Sequence, residues 1–139
     1  MAQVRDIMEK NVVTMDSKKS CLEASKLLEE KDISFLIILE DGVPAGVVTE
    51  RDFVRKLVLK EKNPSQTPLI EIMSPKFRSV EPTTEIEEAV QKMLNNNIRR
   101  LIVLEDGKLV GAITQTDLTG FLRSKILIND TVENLETKN

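Results

Sequence analysis

Gly46-Val47-Val48-Thr49-Glu50-Arg51-Asp52 is the stretch that decides the fold, because it returns as Gly111-Ala112-Ile113-Thr114-Gln115-Thr116-Asp117. Each copy reads as an apolar strand that ends at a threonine and runs straight into a helix, with an aspartate three residues beyond the threonine. Shifting the sequence against itself by 65 positions aligns Ile7 to Leu57 with Ile72 to Leu122 without a gap, and 15 of the 51 pairs are identical. Such a duplication sets the architecture before any other feature. A repeat of roughly 50 residues leaves too much surface for comfortable stability alone, so the two copies are expected to share one apolar interface in a single pseudo-symmetric unit.

Upstream of each copy the same order of signals appears twice. Val4 to Met8 reads as a short helical turn and Asn11 to Met15 as a strand, echoed by Ile70 to Met73 and Lys76 to Val80. Small polar loops follow, with Ser20 and Thr84 as candidate helix caps. Helical periodicity then runs from Cys21 to about Glu30 and from Ile86 to about Asn95, where Ile86, Ala89, Val90, Met93 and Leu94 mark one apolar face. The helices must stop before Ile33 and Ile98, and Asn95-Asn96-Asn97 tolerates a left-handed cap. Phe35 to Leu39 and Ala45 to Val48 flank Glu40-Asp41-Gly42; Leu101 to Leu104 and Leu109 to Ile113 flank Glu105-Asp106-Gly107. Asp-Gly between apolar runs predicts a hairpin. These strands do not alternate cleanly, which predicts that both faces are covered, by helices. Helices from about Glu50 to Lys60 and from Gln115 to Ser124 complete a β-α-β-β-α unit made twice.

The expected organisation is therefore an α/β (α+β) chain. Repeat one occupies residues 1–62, a proline-containing linker 63–68, repeat two 69–124 and a polar tail 125–139, which frays or adds one turn.

Composition narrows the function. With 40% apolar and 31% charged residues the chain is globular, and a net charge of −3 without Trp or Tyr argues against nucleic acid. No apolar run approaches the roughly 20 residues that span a bilayer, and the Met1-Ala2-Gln3-Val4-Arg5-Asp6 start lacks a signal-peptide pattern. A cytoplasmic location without membrane attachment is expected. The chain has no histidine, and its one cysteine, Cys21, falls on an apolar helix face as a small hydrophobe. The usual general base and metal ligand are both missing, so an enzyme is not expected.

Thr49-x-x-Asp52 and Thr114-x-x-Asp117 have two readings. One is a helix capping box, which needs no ligand. The other is a carboxylate at a helix start accepting from two sugar hydroxyls, as an acidic residue holds ribose in dinucleotide folds.

Over residues 4–124 the β-α-β-β-α order, the hairpin Asp-Gly and the Gly-h-h-Thr-x-x-Asp element (h apolar) occur twice, and in this the chain resembles a tandem pair of CBS domains, the regulatory module named after cystathionine β-synthase. The resemblance implies two repeats packed sheet to sheet with pseudo-twofold symmetry. It also implies two clefts for AMP, ADP, ATP or S-adenosylmethionine, with no cofactor required. Carried over by position, cleft one takes Thr49 and Asp52 with Phe77 to Val80 (Ser79 among them) and Ile98 to Arg100, including Arg99. Cleft two takes Thr114 and Asp117 with Val12 to Met15 (Thr14 among them) and Ile33 to Phe35. Cleft one gains Arg99 and Arg100, with Arg51 and Lys76 as further candidates, where cleft two has Ser34 and Phe35 at the positions of the first two, so cleft one is expected to be the better phosphate site. Arg99 and Arg100 alternate in direction if they begin a strand, so one of them faces the cleft. Phe35 is assigned to the core before an adenine stack.

The expected function is a stand-alone nucleotide-binding sensor of cellular energy state. It would pair as a homodimer and act on an unknown regulated protein, while the alternative is a structural dimerisation module without a ligand.

Overall fold

Ser20 opens the first helix by accepting a hydrogen bond from the Glu23 amide at 3.1 Å in the computed structural model. The structure describes the backbone of residues 1–137 and the side chains of residues 1–126. In repeat one, strand β1 (Thr14–Asp16) leads through that cap into α1 (Cys21–Lys31), then β2 (Phe35–Glu40), β3 (Val43–Thr49) and α2 (Glu50–Asp52). In repeat two the counterparts are β4 (Ser79–Val80), α3 (Ile86–Asn96), β5 (Arg100–Glu105), β6 (Lys108–Thr114) and α4 (Gln115–Thr137). The fold is mixed α+β with two three-stranded sheets, ordered β1-β2-β3 and β4-β5-β6. In each sheet the first pair is parallel and the second antiparallel.

The local chemistry follows the residue types. Both main helices end on a left-handed residue, Asp32 at φ 52° and Asn97 at φ 51°. Both hairpins turn through Asp-Gly with positive φ at the two positions, the pattern of a turn whose twist matches the strands. Leu36, Ile37 and Ile38 are all buried, as are Leu101, Ile102 and Val103, so each central strand is covered on both faces.

The chain divides into two compact units that cut across the sequence repeats: residues 11–77, and residues 1–10 with 78–139. In the first, the 3-10 turn Leu69–Glu71 is a strap on the sheet of repeat one, with Leu69 and Ile72 fully buried among Leu36, Ile38, Val48 and Leu57. Ser74 closes the strap through a bridge to Val47, in which Val47 N donates to the Ser74 carbonyl at 3.0 Å. In the second, the 3-10 turn Val4–Asp6 does the same on the sheet of repeat two. Val4 is fully buried among Leu101, Val103 and Ile113, and Glu9 bridges Ala112. Gly46 and Gly111 admit these straps. A Cβ on Gly46 would stand 2.7 Å from the Ser74 carbonyl oxygen, and one on Gly111 would stand 2.8 Å from that of Glu9.

Four expectations are corrected. The helix expected from Glu50 to Lys60 is α only to Asp52; Phe53–Val58 is wound as a π-helix, with Leu59 N donating to the Val54 carbonyl. The helix expected to end at Ser124 continues to Thr137, because the polar tail is helix-compatible, while tail residues 138 and 139 lie outside the described residues. Thr84 does not cap α3: the N-cap is Glu85, and the Thr84 hydroxyl accepts from the Glu81 amide instead. Phe35 does not join the core cluster of its unit, since it lies on the sheet face opposite Leu36 and Ile38.

Candidate functional site

Strand alternation sorts the residues singled out by sequence. Side chains at cross-strand partner positions share a face, so Thr14 (partner of Ile37), Phe35 and Thr49 stand together on the face turned away from Leu36, Ile38 and Val48. In the other unit Ser79 (partner of Ile102), Arg100 and Thr114 stand together in the same way, away from Leu101, Val103 and Ile113. These are matching positions of the two repeats. Met15 and Ile33 pack against one core, and Val80 and Ile98 belong to or pack against the other. Of the two arginines, Arg100 is opposite Thr114 in register; Arg99 is exposed and precedes the strand. Arg51 is exposed in α2, and Phe77, half-buried, ends its unit ahead of β4.

The helix starts are tied to the strand starts by backbone. Glu50 N donates to the Ser34 carbonyl at 3.1 Å, and Gln115 N to the Arg99 carbonyl at 2.9 Å. Each aspartate then reaches back one turn. Asp52 Oδ2 accepts from Thr49 N at 2.8 Å and from Thr49 Oγ1 at 3.2 Å. Asp117 Oδ2 accepts from Thr114 N at 2.9 Å, while Thr114 Oγ1 accepts from Asp117 N at 3.1 Å. Both boxes fix a half-buried carboxylate beside a hydroxyl, and an oxygen with spare lone pairs can accept from a ligand's hydroxyls.

Two cations escaped the sequence reading. Lys56, one turn past Asp52, places Nζ 3.2 Å from Asp52 Oδ1 and also donates to the Ile72 carbonyl at 3.2 Å. The signal was present as an acid–base pair at i,i+4 on a helix. Lys92 donates to the Ser79 carbonyl. Ser79 and Val80 also line an open pocket of about 670 Å³ with Glu81, Glu88, Lys92 and Asp106, a rim whose carboxylates oppose an anion. Ile33 lines a smaller one of about 250 Å³ with Leu28, Glu50 and Phe53. Cys21 is buried, and its thiol is pushed up mainly by that burial, with Glu71 adding and Lys62 offsetting. No helix among the described residues is long and apolar enough to cross a membrane.

The family model for the CBS domain matches the chain twice, over residues 4–59 and 69–124. A CBS domain-containing protein of Bacillus subtilis (strain 168), YhcV, is 31% identical over 118 residues, covering 85% of this chain and 84% of that protein. The chain spans 60% of the length of a further relative, an uncharacterized protein of Methanopyrus kandleri, to which it is 36% identical over 117 residues. Among solved structures, a CBS-domain protein from Burkholderia ambifaria MC40-6 superposes with a TM-score of 0.81 at 35% identity, covering 87% of this chain and 93% of that one. The CBS domain pair of protein MJ0100, in complex with 5'-methylthioadenosine and S-adenosyl-L-methionine, superposes with a TM-score of 0.80 at 27% identity, covering 90% of this chain and 98% of that one.

Proposed function

The chain belongs to the CBS domain family, and from that premise we propose that it is a non-catalytic regulatory module that binds an adenosine compound through its two Thr-x-x-Asp elements. The observation that carries the reading is the half-buried carboxylate at each helix start, Asp52 and Asp117, set beside a threonine hydroxyl where a strand ends. Such a carboxylate suits the two vicinal hydroxyls of ribose. The MJ0100 domain pair, with its two adenosine-derived ligands, supports that class of ligand.

In this reading one ligand is held at Thr49 and Asp52 and a second at Thr114 and Asp117. AMP, ADP, ATP and S-adenosylmethionine are the candidates. Binding shifts the protein only if the ligand's affinity differs between two arrangements, and a partner protein reads the shift. A homodimer would use exposed apolar residues of the helices that follow the motif, Val54 and Val58 in one repeat and Leu122 and Ile126 in the other.

A second reading is favoured by the same hydrogen bonds: both elements are complete capping boxes, which a structural dimerisation module would also need. Thermal unfolding against AMP, ADP, ATP, S-adenosylmethionine and 5'-methylthioadenosine separates the two. A ligand at about 100 times its Kd adds roughly 2.7 kcal/mol. The expected result is a rise of several degrees with at least one compound, lost when both Asp52 and Asp117 are changed to Ala. No rise with any of them leaves the structural reading in place.

A further inference from the structure

The two Thr-x-x-Asp elements repeat without a gap, but the charge around them does not. Residues 50–57 carry Glu50, Arg51, Asp52, Arg55 and Lys56, a net +1, whereas the matching residues 115–122 carry Asp117 alone, a net −1. Lys56 is not a loose surface chain. Its ammonium is held between Asp52 Oδ1 and the Ile72 carbonyl, each at 3.2 Å. Ile72 is fully buried in the core of its unit, so that anchor is fixed. Asp52 itself is mostly buried, its side chain 16% exposed. At the position of Lys56 the second repeat has Phe121, half-buried against the other core, and among the described residues Asp117 takes part in no ion pair.

We propose that Lys56 determines which adenosine compounds the Asp52 element accepts, selecting those with an anionic 5' substituent over those with an uncharged one; this rests on the reading of Asp52 as the ribose acceptor. Ribose hydroxyls meet the carboxylate in the same way whatever the 5' carbon carries. A 5' phosphate, however, comes to rest within about a Debye length, 8–10 Å, of that carboxylate, where an unneutralised charge repels it. Lys56 cancels that charge and adds attraction. It also occupies an acceptor site: a carboxylate has about four, and Asp52 already uses two on Thr49 N and Oγ1 and one on Lys56. An uncharged ligand therefore meets a crowded carboxylate with nothing in return, whereas a phosphorylated one gains the ammonium. The lysine side chain is 42% exposed, so solvent screens the effect to about tenfold rather than thousandfold.

The test is titration calorimetry with AMP and 5'-methylthioadenosine on the full chain carrying Asp117→Ala, which leaves the first element alone. AMP is expected to bind about tenfold more tightly than 5'-methylthioadenosine. Lys56→Met is expected to bring the two within about twofold, by weakening AMP rather than both. Lys56→Arg, which keeps the charge, should preserve the preference and guards against a fold defect in the methionine variant. A preference unchanged by Lys56→Met, or one for 5'-methylthioadenosine in the parent, overturns the proposal. Failure of both probes to bind the Asp117→Ala chain, or binding that Asp52→Ala leaves unchanged, overturns the ribose reading itself and is recognisable as such, because neither outcome depends on Lys56.

Discussion

Replacing Gly111 by alanine tests whether the strap from the start of the chain is held as tightly as the geometry says. The added methyl would stand 2.8 Å from the Glu9 carbonyl oxygen and 2.8 Å from Met8 Sδ, closer than carbon reaches either atom. The Met8 side chain can swing away. The Glu9 carbonyl cannot, because it accepts from Ala112 N at 3.0 Å while Glu9 N donates to the Ala112 carbonyl at 2.8 Å. Relieving the clash breaks that pair. Two backbone hydrogen bonds at about 1 kcal/mol each, or instead an overpacking strain of up to about 3 kcal/mol, place the loss at roughly 2–3 kcal/mol. In a domain of this size 1 kcal/mol moves the midpoint by about 3–5 °C, so thermal unfolding followed by circular dichroism should show a fall of about 10 °C. Gly107→Ala is the control. Its φ of +78° carries a conformational cost of about 1–2 kcal/mol, but nothing lies within 4 Å of the new methyl, so its fall should be smaller. A Gly111→Ala midpoint within about 2 °C of the parent, less than 1 kcal/mol, would refute the close approach.

Gly120 is the opposite case: it lies inside α4 with nothing within 4 Å of an added methyl, so Gly120→Ala should stabilise by about 0.5–1 kcal/mol, and a lower midpoint would contradict it. The raised Cys21 thiol favours its protonated form in the folded state. That contribution is whole below the ordinary thiol range and is lost as pH rises through the raised value. Urea stability should therefore decline above the ordinary thiol value of 9.0 and the decline should flatten in Cys21→Ala, while rapid alkylation of the native protein near neutral pH would be the contrary result.

The hairpins, the left-handed helix ends and the duplicated Thr-x-x-Asp elements were legible because each is written in local residue types: Asp41-Gly42, Asn97, Thr49 and Asp52. The straps were not. Val4 and Leu69 look like ordinary apolar residues at matching points, and nothing in a repeat says which of the two sheets each will cover. The π-wound turn after Asp52 escaped because a single turn with i→i+5 bonding has no periodicity long enough to read. The faces were half legible. Alternation in Arg99 and Arg100 implied that the two point to opposite sides, but only the register shows that Arg100 shares a face with Thr114 of its own sheet. Lys56 stayed hidden because aligning the repeats picks out residues that match, and its significance lies in having no match.

The straps also bear on the order in which the chain can fold as it is made. Residues 11–77 are contiguous, so one unit has all its parts once Phe77 has left the ribosome. The other is split. Val4 N donates to the Thr84 carbonyl eighty positions further on, and Glu9 waits for Ala112. At about 5–20 residues per second of synthesis, Val4, Ile7 and Met8 spend seconds as bare apolar chain ahead of a finished neighbour. The half of the protein that contains the first residue is thus the last to close, and it closes through long-range contacts, the slow kind.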